Sequence, residues 1–332
     1  MNRRTRETTI TFMKKNTLGR SGLEITTLTF GCWQAGGDAW TGTDDDHSVA
    51  AMRAGYEAGI NFFDTAEGYG RGHSEELLGR FLQEVGDGGV VVATKVGDSN
   101  LAAPKLRAAC EKSLRNLGRD TIDLYQIHWP AGTWGSPVVP IEETMGELVK
   151  LQQEGKISAI GVSNFNGQQI EEALQFGRID SLQPPYSLFF QPYVQNGTVD
   201  VCLRNEIGII PYSPLAQGLL TGKFNLKNRP TDNRQGNQLF KDPTYGLALD
   251  AVEKLRPIAQ KYGATTGNVS LAWLCAQPGV TSPIVGARNA EQITDTAQAA
   301  SLQLDNEDLN AISQLAKPVL DSLSADKTNP WK

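Results

Sequence analysis

The chain has 332 residues, with 31 Lys and Arg against 37 Asp and Glu, for a formal net charge of −6. A hydrophobic share of 39% supplies a core, which excludes a disordered or collagen-like polymer, and the acidic balance argues against nucleic acid as a partner. No apolar run reaches the roughly 18 residues that a membrane-crossing helix needs, and four scattered cysteines (Cys32, Cys110, Cys202, Cys275) with three histidines offer no metal spacing, so the natural reading is a cytoplasmic protein with reduced thiols and no metal.

Residues 1–13 are Arg- and Thr-rich without the apolar stretch of a secretory signal, and Met13 begins a second start-like "MKKN"; they read as a dispensable leader. Residues 14–26 read as a β-hairpin turning at Arg20-Ser21-Gly22. Eight short β-branched or apolar runs follow in order: "LTFGC", "INFFDT", "VVVATK", "IDLYQIHW", "ISAIGVSNF", "DSLQPPYS", "IGIIPYSP" and "SPIVGA". Helical spacing fills the gaps, as in Leu106, Cys110, Leu114 and Leu117, or Met145, Leu148 and Val149. Pro104 suits a helix first turn, Ser74 before Glu75 and Glu76 an N-cap, and Gly155 a C-terminal stop.

Apolar runs alternating with helices predict a parallel sheet covered on both faces. Eight such units in one domain, residues 14–316, predict an α/β fold, a closed (β/α)8 TIM barrel with an N-terminal hairpin. An open dinucleotide-binding sheet is the rival, but "GYGRGH" at Gly68–His73 misplaces the glycines of its fingerprint and does not follow the first strand. Residues 219–246, after the seventh run, are polar and rich in Asn, Pro and Gly; a loop this long, leaving from the catalytic face, is expected to be functional or mobile. Residues 317–332 read as a tail.

Barrel active sites form at the C-terminal ends of the strands. The second run ends in Asp64 with Tyr69 just beyond, the third in Lys95 and the fourth in His128. Each has an ordinary alternative: a turn cap, a surface aromatic, a solvated lysine, a core imidazole. All four on consecutive strand ends point to chemistry. A Lys ammonium beside a Tyr favours phenolate and so makes the phenol a better acid, with Asp64 compensating the Lys charge. His128 can donate to a carbonyl oxygen and stabilise its developing charge. Such a set protonates oxygen as hydride reaches carbon.

The stretch "GINFFDTAEGYGRGHSEELLGRFL", with "VVVATK", "DLYQIHWP", "IGVSNF" and "YSPLAQGLLTGKF", resembles the aldo-keto reductases from about Leu18 to about Ala300. The resemblance implies a barrel that binds NADPH, with Tyr69 as general acid, Lys95 tuning it, Asp64 holding Lys95, and His128 orienting the carbonyl. It implies that Ser163, Asn164 and Gln183 hold the nicotinamide carboxamide, that Tyr212 stacks on the ring, and that Ser213, Pro214, Leu215, Gln217, Gly218 and Lys223 follow the pyrophosphate. Gly31 and Trp33 complete that wall. "VGARNAEQITDT" is similar to the adenosine-phosphate segment, giving Gly286, Arg288, Gln292 and Thr296, although many members carry Asn where Thr296 stands. Arg288 at a helix start suits a 2′-phosphate.

Trp33 and Trp129, at strand ends beside Tyr69 and His128, are expected to line the substrate pocket, ahead of Trp40 and Trp134. The expected activity is NADPH-dependent reduction of an aldehyde or ketone by a monomer or weak homo-oligomer. The alternative is a redox-sensing NADPH-binding module, since potassium-channel β subunits resemble the same family. A barrel hydrolase pairing Asp64 with Glu67 leaves Tyr69 and Lys95 without a role.

Overall fold

The computed structural model describes residues 13–37, 44–86 and 89–323. The predicted hairpin forms from β1 (Lys15–Thr17) and antiparallel β2 (Glu24–Thr26). All eight apolar runs become strands: β3 (Thr29–Gly31), β4 (Phe62–Asp64), β5 (Val91–Val96), β6 (Ile122–Ile127), β7 (Ile157–Ser163), β8 (Ser181–Gln183), β9 (Gly208–Ile209) and β10 (Ile284–Gly286). They pair in parallel in the order β10-β3-β4-β5-β6-β7-β8-β9. The ends meet: Ile284 N–H donates to Pro211 C=O at 2.8 Å, and Ile209 bridges to Val280. The barrel is therefore closed and has no free edge.

Helices α1 (Asp45–Glu57), α2 (His73–Val85), α3 (Ala103–Leu117), α4 (Ile141–Gln153) and α5 (Gly167–Ala173) fill the crossovers from β3 to β8. The chain reaches β9 through α6 (Pro192–Gln195) and α7 (Thr198–Arg204), and β10 through α8 (Thr244–Lys261) and α9 (Thr266–Cys275). Then α10 (Ala290–Ala297) and α11 (Asn306–Asp321) complete the outer ring. Among the described residues no helix is long and apolar enough to cross a membrane.

Local signals worked where they act within one turn. Pro104 stands in the first turn of α3, Leu106, Cys110 and Leu117 are buried along it, and Gly155, at φ +74°, follows the end of α4. Ser74 is a correction. It lies inside α2, fully buried, and its hydroxyl donates to Cys32 C=O at 2.8 Å, while Gly72 occupies the N-cap. A tertiary acceptor took the group that the sequence pattern assigned to the helix end. Residues 317–321 continue α11, because Val319 is buried against the α8 side of the shell.

Inside the barrel the side chains stack in layers. Phe62, Ala93, Leu124, Ala159 and Ile210 form an apolar layer, closed from below by Leu18 and Ile25 of the hairpin segment. Because side chains repeat every second residue along a strand, the next inward positions are Asp64, Lys95, Gln126, Gly161 and Tyr212. An oily floor thus carries a polar layer, and the polar layer opens to the strand ends.

Candidate active site

The polar layer is the base of a cavity of about 710 Å³ at the C-terminal face. Asp64, at the end of β4, accepts from Lys95 Nζ at 2.6 Å through Oδ1, and from Gln126 Nε2 at 3.1 Å and Gln183 Nε2 at 2.9 Å through Oδ2. Lys95 also donates to Thr65 C=O at 2.7 Å and stands 3.4 Å from Tyr69 Oη. Its side chain has no exposed surface, so Lys95 lies beneath the cavity wall while Asp64, Tyr69 and His128 line it. The His128 ring packs edge-on against Tyr69 with centroids 5.6 Å apart.

Burial and charge set the protonation states. Burial pulls the Lys95 ammonium down, but Asp64 and Tyr69 outweigh it, so its pKa rises and the cation is held firmly. Burial pushes Tyr69 above the usual phenol value, with Lys95 opposing and Asp64 adding. The expected downward pull of Lys95 is present, yet desolvation is the larger effect, and Tyr69 stands as a neutral phenol. For His128, burial first and Lys95 second lower the pKa to about 3, so the imidazole is neutral and keeps one N–H to donate.

Tyr69 is presented by a close backbone approach. Gly70 holds φ +60°, and a Cβ there would lie 2.3 Å from Gly36 C=O, so the loop after β4 is pressed against the loop carrying Trp33. Gly70→Ala should cost roughly 1–3 kcal/mol in stability and displace Tyr69. Urea unfolding and turnover measured together check this; an unchanged midpoint would show that the contact yields freely. Glu67, three residues beyond Asp64, is absent from the cavity wall. It accepts from Gly97 N–H at 2.6 Å and Asn100 Nδ2 at 2.9 Å, tying two loops together, so it cannot pair with Asp64 as a second hydrolytic carboxylate.

The remaining expected cofactor positions line the same cavity as one continuous groove, from Gly31 and Trp33 past Ser163, Asn164, Gln183 and Tyr212, along 213–215, Gln217, Gly218 and Lys223, to Gly286, Arg288, Gln292 and Thr296. Several of these groups are already engaged. Asn164 Nδ2 donates to His128 C=O and Ser163 Oγ, both at 3.0 Å, its Oδ1 accepts from Tyr212 Oη at 2.9 Å, and Ser163 Oγ donates to Gln183 C=O at 2.8 Å. Ser213, Ala216 and Gln217 hold φ of +54°, +48° and +57°, and Gln217 is half-buried, with both side-chain polar atoms inaccessible and lacking partners. Lys223 is pulled below its ordinary pKa by burial, then by Arg234 and Arg288, which marks three cations facing one region.

Trp33 and Trp129 line the cavity, as does Trp134, which ranked lower in the sequence; it stacks edge-on to Trp129 at 4.4 Å between centroids. Trp40 lies outside the described residues. Sequence reasoning missed Gln34, Thr221, Arg234, Ile284, Val285 and Asp295 in the lining. Arg234 was within sight, because it sits in the long polar segment expected to be functional or mobile, but nothing in that segment said which residue folds back. There, short 3-10 turns at Ala216–Thr221, Asn233–Gly236 and Gln238–Phe240 precede α8.

Comparison with known proteins gives the same picture. A family model described as "Aldo/keto reductase family" matches residues 27–317. The chain is similar to the NADH-specific methylglyoxal reductase of Escherichia coli (strain K12), 32% identical over 325 residues, covering 92% of this chain and 99% of that one. It superposes on the glycerol dehydrogenase of Gluconobacter oxydans with a TM-score of 0.84 at 31% identity, covering 95% and 98% of the two chains. An aldo-keto reductase from Klebsiella pneumoniae, solved in complex with NADPH, matches with a TM-score of 0.72 at 27% identity over 92% and 95%. Closed barrel, polar layer and a match across nearly the whole chain agree: this protein belongs to the aldo/keto reductase family.

Proposed function

We propose that the protein is an NADPH-dependent reductase of aldehydes or ketones, with Tyr69 as general acid. The observation that carries this reading is the Asp64–Lys95–Tyr69 chain of contacts, with neutral His128 beside it, at the base of a long cavity. NADPH, when bound, supplies the hydride. Its fit rests on the wall itself: left-handed backbone at Ser213, Ala216 and Gln217 shapes the wall, the unpartnered Gln217 amide lies there, and Lys223, Arg234 and Arg288 gather at one end, as an anionic pyrophosphate would need. Tyr212 would support the nicotinamide ring, fixed in orientation by its bond to Asn164.

At the other end Tyr69 and His128 converge on the space beside Trp33 and Trp129. A carbonyl oxygen placed there accepts from the neutral His128 N–H and from the Tyr69 phenol. As its charge develops, the phenol proton moves to oxygen and the phenolate is stabilised by the Lys95 ammonium. The tryptophans exclude water from this end. Multiple turnovers of NADPH against a panel of simple aldehydes, ketones and sugars test the reading; binding of NADPH with no turnover on any of them would favour the redox-sensing module.

Cofactor choice has its own test. Arg288 precedes α10, and a charge-assisted contact to a 2′-phosphate contributes on the order of 1.5–3 kcal/mol. Arg288→Ala should therefore weaken NADPH binding roughly ten- to hundredfold and NADH binding little. Asp295 lines the same end and opposes a phosphate, so the comparison is informative in both directions. Equal losses for the two dinucleotides would remove Arg288 from the phosphate site.

A further inference from the structure

We propose that Gln126 is a positioning residue: it locks the side-chain amide of Gln183 so that the cavity meets only a hydrogen-bond acceptor, which selects a bound group carrying an amide N–H. The inference rests on the nicotinamide reading of the site and adds a residue that the family resemblance did not bring forward.

Gln126 is fully buried in the polar layer, in register with Lys95 on β5 and Gly161 on β7. Gly161 leaves the room it needs, since a Cβ there would lie 2.8 Å from Gln126 Cγ. Its amide has one consistent orientation. Nε2 donates to Asp64 Oδ2 at 3.1 Å, and Oε1 accepts from Gln183 Nε2 at 3.2 Å. Reversed, its carbonyl would face a carboxylate and its N–H groups would face a donor.

The consequence falls on Gln183. Its Nε2 donates to Asp64 at 2.9 Å and to Gln126, so both N–H groups are spent on the wall. Among the described residues its Oε1 accepts nothing, and Gln183 lines the cavity. Ser163 and Asn164, the other residues expected at the carboxamide, spend their donors on protein partners. The wall at this point is therefore an acceptor. A carboxamide NH2 complements it, and a methyl ketone does not. Asp64 alone holds one Gln183 N–H; without Gln126 the second is left unpaired and the amide is free to swing.

The test compares binding of NADP+ with its 3-acetylpyridine analogue, in which an acetyl group replaces the carboxamide, by quenching of tryptophan fluorescence. Wild type is expected to prefer NADP+ by about tenfold, the weight of one hydrogen bond made well. Gln126→Leu should bring the two affinities within about twofold of each other. Because the readout is a ratio, general loosening of the fold cancels. Gln126→Glu gives a second handle. Protonated, the carboxyl still donates to Asp64 and accepts from Gln183; ionised, it repels Asp64. Its preference for NADP+ should match wild type near about pH 5 and vanish near about pH 9, while wild type stays flat. A Gln126→Leu protein that keeps the tenfold preference overturns the inference and leaves the proposed function standing. Wild type that binds neither dinucleotide overturns the proposed function and this inference with it.

Discussion

Tyr69→Phe should lower kcat by roughly 10²–10⁴-fold, the usual contribution of a positioned general acid, while the Kd for NADPH stays within about twofold. The phenol oxygen stands 3.4 Å from Lys95 Nζ and is the proton donor that the geometry aims at the cavity. The ring contacts to Trp33 and His128 survive the change, so the cavity keeps its shape. Because burial raises the Tyr69 pKa above the ordinary value of 10.0, the phenol is protonated throughout the neutral range. Reduction needs that proton, so the rate should be level near neutrality and fall only on a basic limb. Stopped-flow and steady-state rates for both proteins decide the matter; near-normal turnover in the Phe variant would sink the assignment.

Lys95→Met should damage both rate and fold. The ammonium opposes the upward push of burial on Tyr69, so its loss should move the basic limb of the remaining activity to still higher pH and leave the phenolate without its counter-charge. It also leaves Asp64 buried, 3% exposed, with only the two glutamine amides to hold its charge. Removing one partner of a buried pair costs roughly 3–5 kcal/mol. The double variant Asp64→Asn/Lys95→Met should recover part of that stability, since no buried charge is left unpaired, and recover none of the rate. Urea unfolding with pH–rate profiles separates the two effects. A Lys95→Met protein with wild-type rate and an unmoved limb would show that Lys95 does not tune the acid.

How much was legible beforehand follows the range of the forces involved. Strand positions and helix stops such as Gly155 depend on neighbours a few residues away, and β3 to β10 fall where the apolar runs predicted them. Asp64, Tyr69, Lys95 and His128 could be grouped because strand ends of a barrel converge whatever their loops do. Ser74 failed as a cap because its acceptor, Cys32 C=O, is 42 residues away.

The barrel, its hairpin and the residue types at the strand ends were readable from the chain alone, through periods of two and 3.6 that need no knowledge of what lies across the fold. Folding across the barrel set the rest: Lys95 sits under the wall and not in it, burial outweighs Lys95 in setting Tyr69, Arg234 folds back onto the cavity, and Trp134 reaches its rim while staying largely exposed. It alone joined Asp64 to Gln126 and Gln183, 62 and 119 residues apart. Desolvation and amide orientation depend on every neighbour at once, and barrel closure brings those neighbours together from strands that carry no local trace of one another.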